Sequence, residues 1–83
     1  MKLHNFNSGP SILPPVVMQK AAEAIMDFEG SGLSILEIGH RTSLFQDVMQ
    51  EAVQSVKTLM QIGDDYEVLF LHGGATTQFM QVP

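Results

Sequence analysis

The residues of this sequence that could do chemistry are concentrated in the stretch Gly73-Gly74-Ala75-Thr76-Thr77. Two glycines allow a sharp turn and a close approach of the backbone to a ligand. If a helix begins after them, its first N–H groups have no partner inside the helix and carry about half a positive charge. Such a helix start binds anions, phosphate above all. The alternative is a turn that joins a strand to a helix and binds nothing.

The turn differs from the common nucleotide-binding motifs. No Gly-Lys-Ser/Thr follows it, so it is not a P-loop, and the spacing G-x-G-x-x-G is absent. Thr76 and Thr77 place two hydroxyls and two backbone N–H groups at the first turn of the expected helix. The pattern therefore fits either a simple anion site or a connection that binds nothing, and it does not fit a P-loop or a dinucleotide site.

A second candidate site is His40-Arg41, which follows Gly39 on an expected loop. Arg41 is the only arginine of the chain, and its guanidinium can hold a carboxylate or phosphate through two parallel hydrogen bonds. Spacing alone favours a surface ion pair with one of the nine acidic residues over a bound acid. His40 fits a ligand contact, a capped core histidine or a solvent-facing side chain.

Two helices are expected to precede the glycine turn. The first is predicted from about Pro15 to Glu29, with apolar residues on one face and Gly30 as its C-terminal cap. The second begins near Ser43 and keeps an apolar rhythm of 3.6 residues over five turns, until the chain reaches Gly63. Its broad apolar stripe needs a large surface to cover it.

One buried strand is expected directly before the turn. Val68–Leu71 is a run of four apolar residues rich in β-formers, which is typical of a strand in a parallel sheet. Residues 33–38, bracketed by glycines, are predicted to contain a short extended piece. A buried strand needs neighbours, since each unpaired buried backbone group costs about 1–3 kcal/mol. The chain offers too few, so we expect it to be the front portion of a larger protein.

Composition argues against several classes of protein. A hydrophobic content of 45% excludes a disordered tail, and a net charge of −5 with four dispersed basic residues gives nucleic-acid binding no support. No apolar run approaches about 18 residues, so no membrane partner is expected. The start of the chain lacks a secretion signal, and cytoplasm is the expected compartment. With no cysteine, disulfides and thiolate catalysis are excluded, and no metal site is expected.

Three blocks of sequence, in order, resemble one known family. They are Asn5-Phe6-Asn7-Ser8-Gly9-Pro10, the segment Gly32–Arg41, and the segment Tyr66–Phe79 with Val82-Pro83 behind it. With these blocks the chain resembles the amino-terminal quarter of the phosphoserine aminotransferases. These are class-V aminotransferases with the fold type I of enzymes that use pyridoxal 5′-phosphate. The resemblance covers nearly the whole chain.

The resemblance implies an α/β fold. Residues 1–14 would form an amino-terminal arm, and residues 15–83 the incomplete start of the large cofactor-binding domain, with two helices, the first strand of its sheet and the start of a third helix. It also implies transfer of an amino group between glutamate and 3-phosphohydroxypyruvate in serine biosynthesis, with pyridoxal 5′-phosphate as cofactor. The full-length protein would be a cytoplasmic homodimer.

The resemblance also implies roles for four residues. Ala75 and Thr76 would bind the cofactor phosphate through main-chain donors, Arg41 would contact the acidic group of the substrate, and His40 would line the same pocket. Gly39 departs from the family, which usually has serine at this position. At 76 and 77, other members carry Arg-Gly or Ser-Leu in place of the two threonines. Main-chain contacts are expected to survive that change.

No catalytic residue is predicted in this chain. The family's Schiff-base lysine and the acid at the cofactor ring would lie outside residues 1–83, and Lys20 and Lys57 fall in predicted helices. We therefore expect the 83 residues to be inactive on their own. The alternatives from other classes are a small anion-binding module and a self-associating interaction module, both without catalysis.

Overall fold

A computed structural model describes residues 2–82 of the chain. By its internal contacts the chain divides into two compact units, Met1–Thr42 and Ser43–Pro83. Within the described residues the regular structure is helical. The elements are α1 at Pro15–Met26, a 3₁₀ helix at Ile35–Glu37, α2 at Ser43–Met60 and α3 at Ala75–Gln81.

Helix α1 begins where the sequence predicts but ends earlier. Pro15 is the first helical residue, where its missing N–H is not needed. Asp27 is the C-terminal cap, and its carboxylate accepts the N–H groups of Gly30 at 2.9 Å and Gly32 at 2.7 Å. These bonds fold the chain out of the helix at Met26. The predictions of a helix to Glu29 and of a Gly30 cap are therefore wrong.

The prediction of a short extended piece within residues 33–38 is also wrong, because a 3₁₀ helix forms there. The Ser34 hydroxyl accepts the N–H of Leu36 at 3.2 Å, and the Glu37 carboxylate accepts the N–H of Ser34 at 2.9 Å. This reciprocal capping box holds the 3₁₀ helix at Ile35–Glu37, which contacts α1. A single helical turn is too short for its periodicity to be visible in the sequence.

Helix α2 confirms the predicted second helix. It starts at Ser43 and ends at Met60, after which Gln61 takes a φ of +56°. The N–H of Ile62 donates to the carbonyl of Lys57 at 3.1 Å and closes the last turn. Several apolar side chains of the helix are half-buried and none is buried. The half-buried ones are Leu44, Phe45, Val48, Ala52, Val53 and Val56.

The predicted strand at Val68–Leu71 is not confirmed. Residues 67–74 form neither helix nor strand, and the structure shows no strand anywhere in residues 2–82. A strand is held by hydrogen bonds to a neighbouring strand, and this part of the chain supplies none. As a result Leu69, Phe70 and Leu71 are 69%, 52% and 61% exposed.

The amino-terminal segment is irregular and is held by Asn5. The side-chain nitrogen of Asn5 donates to the carbonyl of Pro10 at 2.8 Å, and its side-chain oxygen accepts the N–H of Asn7 at 3.0 Å. Its carbonyl accepts the N–H of Ile12 at 2.9 Å. The turn-forming residues of the first resemblance block thus belong to a closed loop. That residues 1–14 act as a separate arm remains a prediction.

The described residues have no hydrophobic core. None of residues 2–82 is buried, although 45% of the sequence is hydrophobic. Phe6, Met26, Leu59 and Phe79 are each 83–86% exposed. No helix in this range has the length and apolar character needed to cross a membrane.

Candidate functional site

The turn at Gly73 is shaped so that only glycine fits. Its φ is +123°, a conformation that side-chain-bearing residues rarely adopt. A Cβ at this position would lie 2.7 Å from the Cβ of Thr77 and 2.9 Å from its Cγ2. Gly74, by contrast, has an extended backbone with φ −139°, and nothing lies within 4 Å of the position its Cβ would take. The chain therefore turns tightly at the first glycine and leaves open space at the second.

Helix α3 begins directly after this turn and leaves donors available. Its first internal hydrogen bond runs from the N–H of Gln78 to the carbonyl of Gly74 at 2.9 Å. The N–H groups of Ala75 and Thr76 precede that bond, and no acceptor in residues 2–82 receives them. Because Gly74 has no side chain to cap the helix, these two donors can bind an oxygen of a ligand.

An open depression of about 540 Å³ lies beside the turn. Its volume falls in the range of about 300–1,000 Å³ that is usual for sites of small ligands and cofactors. Apolar and polar groups both line it. The lining residues include Leu69, Phe70, Gly74, Ala75 and Gln78.

The two threonines at the start of α3 have different environments. Thr76 is exposed, whereas Thr77 is half-buried with its side chain against Gly73. Sequence reasoning treated the two hydroxyls alike and missed this contact. The only signal for it is a glycine four residues before a β-branched residue, which is common and unspecific. Thr76 is thus more exposed to solvent than Thr77.

His40 and Arg41 lie in a turn after the 3₁₀ helix. The turn is closed by Thr42, whose N–H and hydroxyl donate to the carbonyl of Gly39 at 3.1 Å and 2.7 Å. Both His40 and Arg41 are exposed, and Arg41 has an interaction within the chain. Their proposed contacts with a substrate remain predictions. His40 and Arg41 lie in the first compact unit, and Ala75 and Thr76 lie in the second.

Among residues 2–82, no three side chains of histidine, aspartate or glutamate come close enough together to hold a metal ion. Within residues 2–82 the candidate sites are those described above, namely the start of α3 at Ala75 and the turn that contains Arg41.

The match to known families decides what this chain is related to. The model of the class-V aminotransferases matches residues 3–83, almost the entire sequence. The chain belongs to the class-V aminotransferase family. This confirms the resemblance drawn from the three sequence blocks, which lie within the matched range.

Among known proteins, this chain is similar to phosphoserine aminotransferases. The one from Phocaeicola vulgatus is 57% identical over 83 residues, which is the whole of this chain and 23% of that protein. The one from Desulfatibacillum aliphaticivorans is 49% identical over 82 residues and is also covered to 23%. The chain thus spans about a quarter of the length of these relatives and matches their amino-terminal part.

Solved structures of class-V aminotransferases agree with the described chain. Phosphoserine aminotransferase from Bacillus circulans subsp. alkalophilus superposes with a TM-score of 0.85 at 38% identity, over 99% of this chain and 23% of that one. The PLP-bound phosphoserine aminotransferase from Trichomonas vaginalis gives a TM-score of 0.86 at 32% identity, over 99% of this chain and 24% of that one. The local fold of the helices is therefore that of the amino-terminal part of these enzymes.

Proposed function

We propose that this chain is the amino-terminal part of a phosphoserine aminotransferase that transfers an amino group between glutamate and 3-phosphohydroxypyruvate. The proposal rests chiefly on one observation. The N–H groups of Ala75 and Thr76 have no acceptor within the described residues. They lie in a chain whose 83 residues are 57% identical to the matching part of a phosphoserine aminotransferase. In this proposal the fold is the α/β fold type I, in which residues 68–71 become the first strand of a sheet completed by the rest of the enzyme.

The residues of the turn fit pyridoxal 5′-phosphate. The N–H groups of Ala75 and Thr76 donate to the phosphate, and the bare backbone of Gly74 leaves room for its oxygens. The partial positive charge of a helix start favours the phosphate dianion. When bound, the cofactor supplies an electron sink that lets an amino group move between an amino acid and a keto acid.

Arg41 and His40 are proposed to bind the substrate. The guanidinium of Arg41 holds the acidic group of the substrate through two parallel hydrogen bonds. His40 lines the same pocket, where its imidazole ring offers a hydrogen-bonding nitrogen. The exposure of both side chains in the turn after Gly39 is compatible with these roles.

The lysines of this chain are not proposed as the Schiff-base lysine. A nucleophilic amine must be neutral, which requires an apolar pocket or a second nearby cation. Lys57 instead lies 3.6 Å from the carboxylate of Asp64, and Lys20 is exposed on α1. We therefore propose that residues 1–83 alone have no transaminase activity.

We further propose that the full-length enzyme is a cytoplasmic homodimer of serine biosynthesis. Its partners are then small acidic substrates and a second copy of itself, with no nucleic acid and no membrane. The dispersed basic residues and the net charge of −5 support small-molecule substrates over a nucleic-acid partner.

A chimera tests the proposed function. In it, this chain replaces the matching amino-terminal part of the Phocaeicola vulgatus relative, and the unaltered relative is the control. We expect the chimera to bind pyridoxal 5′-phosphate and to form phosphoserine from 3-phosphohydroxypyruvate and glutamate. A folded chimera that takes up no cofactor would contradict the proposal. Both alternative modules predict instead that the chimera stays inactive, and the anion-binding module also predicts that the isolated 83 residues bind inorganic phosphate.

A further inference from the structure

We propose that Thr42 is a positioning residue for substrate binding, and that its hydroxyl holds the turn whose backbone carries His40 and Arg41. The inference rests on the proposed function, because it requires Arg41 to bind the acidic group of the substrate. In it, Thr42 affects the affinity for substrate through Arg41 and makes no contact with the substrate itself.

Residues 39–42 form a turn that Thr42 closes with two hydrogen bonds. The N–H of Thr42 donates to the carbonyl of Gly39 at 3.1 Å, which is the bond between the first and fourth residues of a β-turn. The hydroxyl of Thr42 donates to the same carbonyl at 2.7 Å, the usual length of a good O–H···O bond. A carbonyl oxygen has two lone pairs, so it can accept both donors at once.

His40 and Arg41 occupy the two central positions of this turn. Their φ angles are not positive, since among the described residues only Glu29 and Gln61 combine a side chain with a positive φ. Turns of types II, I′ and II′ need a positive φ at a central residue, so the turn fits type I. The conformation of the turn therefore sets the directions in which both central side chains leave the backbone.

The backbone bond alone holds this turn weakly. All four residues of the turn are exposed, so water competes for the carbonyl of Gly39. Glycine has the widest choice of backbone conformations, which favours the open chain over the closed turn. The hydroxyl of Thr42 adds a second and shorter bond to the same carbonyl, and it thereby raises the share of molecules in which the turn is closed.

The proposed role of Arg41 makes substrate affinity sensitive to the turn. A guanidinium donates two parallel hydrogen bonds to an acid only when it approaches in one plane and from one direction. When only part of the molecules has the closed turn, the apparent affinity falls in proportion to that part. Thr42 therefore supports the binding of the acid from a position one residue beyond Arg41.

Two variants of Thr42 in the chimera separate its hydroxyl from the rest of the side chain. Thr42→Val keeps the branched shape and the backbone N–H but loses the hydroxyl, whereas Thr42→Ser keeps the hydroxyl. We expect Thr42→Val to raise the KM for 3-phosphohydroxypyruvate roughly three- to tenfold, the usual worth of one hydrogen bond, and to change kcat by less than about twofold. Thr42→Ser should keep the KM of the parent chimera.

Thr58→Val is the matched control, because it makes the same chemical change at an exposed threonine of α2. It should leave the KM unchanged. The dissociation constant of pyridoxal 5′-phosphate and the melting temperature of the apoprotein should stay the same in all three variants. A rise in KM with these two quantities unchanged separates positioning of Arg41 from a general loss of structure.

A double-mutant cycle shows whether Thr42 acts through Arg41. Arg41→Lys has already lost the two parallel hydrogen bonds, so Thr42→Val should raise the KM no further when it is added to Arg41→Lys. A threonine that contacted the substrate directly would add its full effect to that of Arg41→Lys. Additive effects in the cycle would therefore overturn the inference.

Two other results would also overturn it. One is an unchanged KM in Thr42→Val, in a chimera where Arg41→Lys does raise the KM. The other is an equal rise in Thr42→Val and Thr42→Ser, which would mean that the hydroxyl is not what matters. An inactive chimera, or an unchanged KM in Arg41→Lys, would instead show that the proposed function fails, as a whole or at Arg41, and the inference falls with it.

Discussion

At the scale of single residues, the two adjacent glycines have different roles. Gly73 has a positive φ and no room for a side chain beside Thr77, whereas Gly74 is extended with open space where its Cβ would be. The first glycine is therefore required by the chain itself, because any side chain there is strained and clashes. The chain itself has room for a side chain at the second glycine. In the proposed function, a glycine there leaves space for the phosphate.

Replacing each glycine separates these roles. Gly73→Ala in the chimera should lower the free energy of unfolding of the apoprotein by about 2 kcal/mol, from strain at positive φ and the clash with Thr77. Gly74→Ser, which adds a larger side chain one position later, should leave it within about 0.5 kcal/mol, since serine is a good residue before a helix. Urea unfolding measures both. Equal stability of the two variants would show that Gly73 is not constrained.

The proposed role of Arg41 depends on the two parallel hydrogen bonds that its guanidinium can donate. Arg41→Lys in the chimera keeps the charge but loses the two parallel hydrogen bonds. The KM for the acidic substrate should rise roughly 10- to 100-fold, which corresponds to one or two charge-assisted hydrogen bonds. The affinity for pyridoxal 5′-phosphate should not change. Steady-state kinetics with a KM equal to that of the parent chimera would contradict the role.

At the scale of elements, side chains that bond to nearby backbone set where helices stop and start. Asp27 ends α1 by accepting two glycine N–H groups, and Ser34 with Glu37 starts the 3₁₀ helix. These short-range bonds compete with regular helix hydrogen bonds. They also determine how the chain leaves α1 and reaches the turn that carries Arg41.

Removing the carboxylate of Asp27 tests its role as a stop signal. In the chimera, Asp27→Asn keeps the size of the side chain and one acceptor oxygen but loses the second acceptor and the charge. We expect a loss of about 1 kcal/mol in the free energy of unfolding. Glu23→Gln, the same chemical change on the exposed part of α1, should have almost no effect. Thermal or urea unfolding that finds equal values for both variants would argue against the two glycine bonds.

The helices could be predicted from sequence because their signals are local. Pro15 marks the start of α1, and the apolar rhythm of α2 is repeated over five turns. The end of α1 and the 3₁₀ helix could not be predicted, because each depends on one side chain that bonds to backbone a few residues away. The strand predicted at Val68–Leu71 is not confirmed, because strands need distant partners that residues 2–82 do not contain.

The candidate site could be predicted in part for the same reason. The glycine pair and the start of α3 are adjacent in sequence, so the open donors of Ala75 and Thr76 follow from local pattern. The lack of room for a side chain on Gly73 beside Thr77 depends on the backbone path of the turn and could not be foreseen. The roles of His40 and Arg41 came only from family resemblance and stay predictions.

At the scale of the whole molecule, the described chain is rich in apolar residues and buries none of them completely. Exposed apolar surfaces of this extent are typical of contact sites or of association-prone chains. The relatives are about four times as long. In the proposed function, the rest of the enzyme covers α2 and residues 68–71.

The isolated 83-residue chain should therefore behave unlike a small globular protein. We expect it to self-associate in sedimentation velocity, to bind hydrophobic dyes, to melt without a sharp transition and to show no transamination with added pyridoxal 5′-phosphate. The chimera, in which the same surfaces are covered, is the control and should melt cooperatively. A monomeric isolated chain with a sharp melting transition would show that it folds on its own.

Backbone donors at the start of α3 are proposed to hold the cofactor phosphate, and Ala75→Pro removes one of them. Proline suits the first position of a helix, and the extended Gly74 suits the residue before proline, so the change removes one N–H while keeping α3. Ala75→Gly keeps the N–H and is the control.

The measurement is the dissociation constant of pyridoxal 5′-phosphate for the chimera and these two variants. We expect Ala75→Pro to weaken binding roughly 10- to 100-fold, the usual worth of one hydrogen bond to a charged group, and Ala75→Gly to change it little. An unchanged affinity in Ala75→Pro would contradict it.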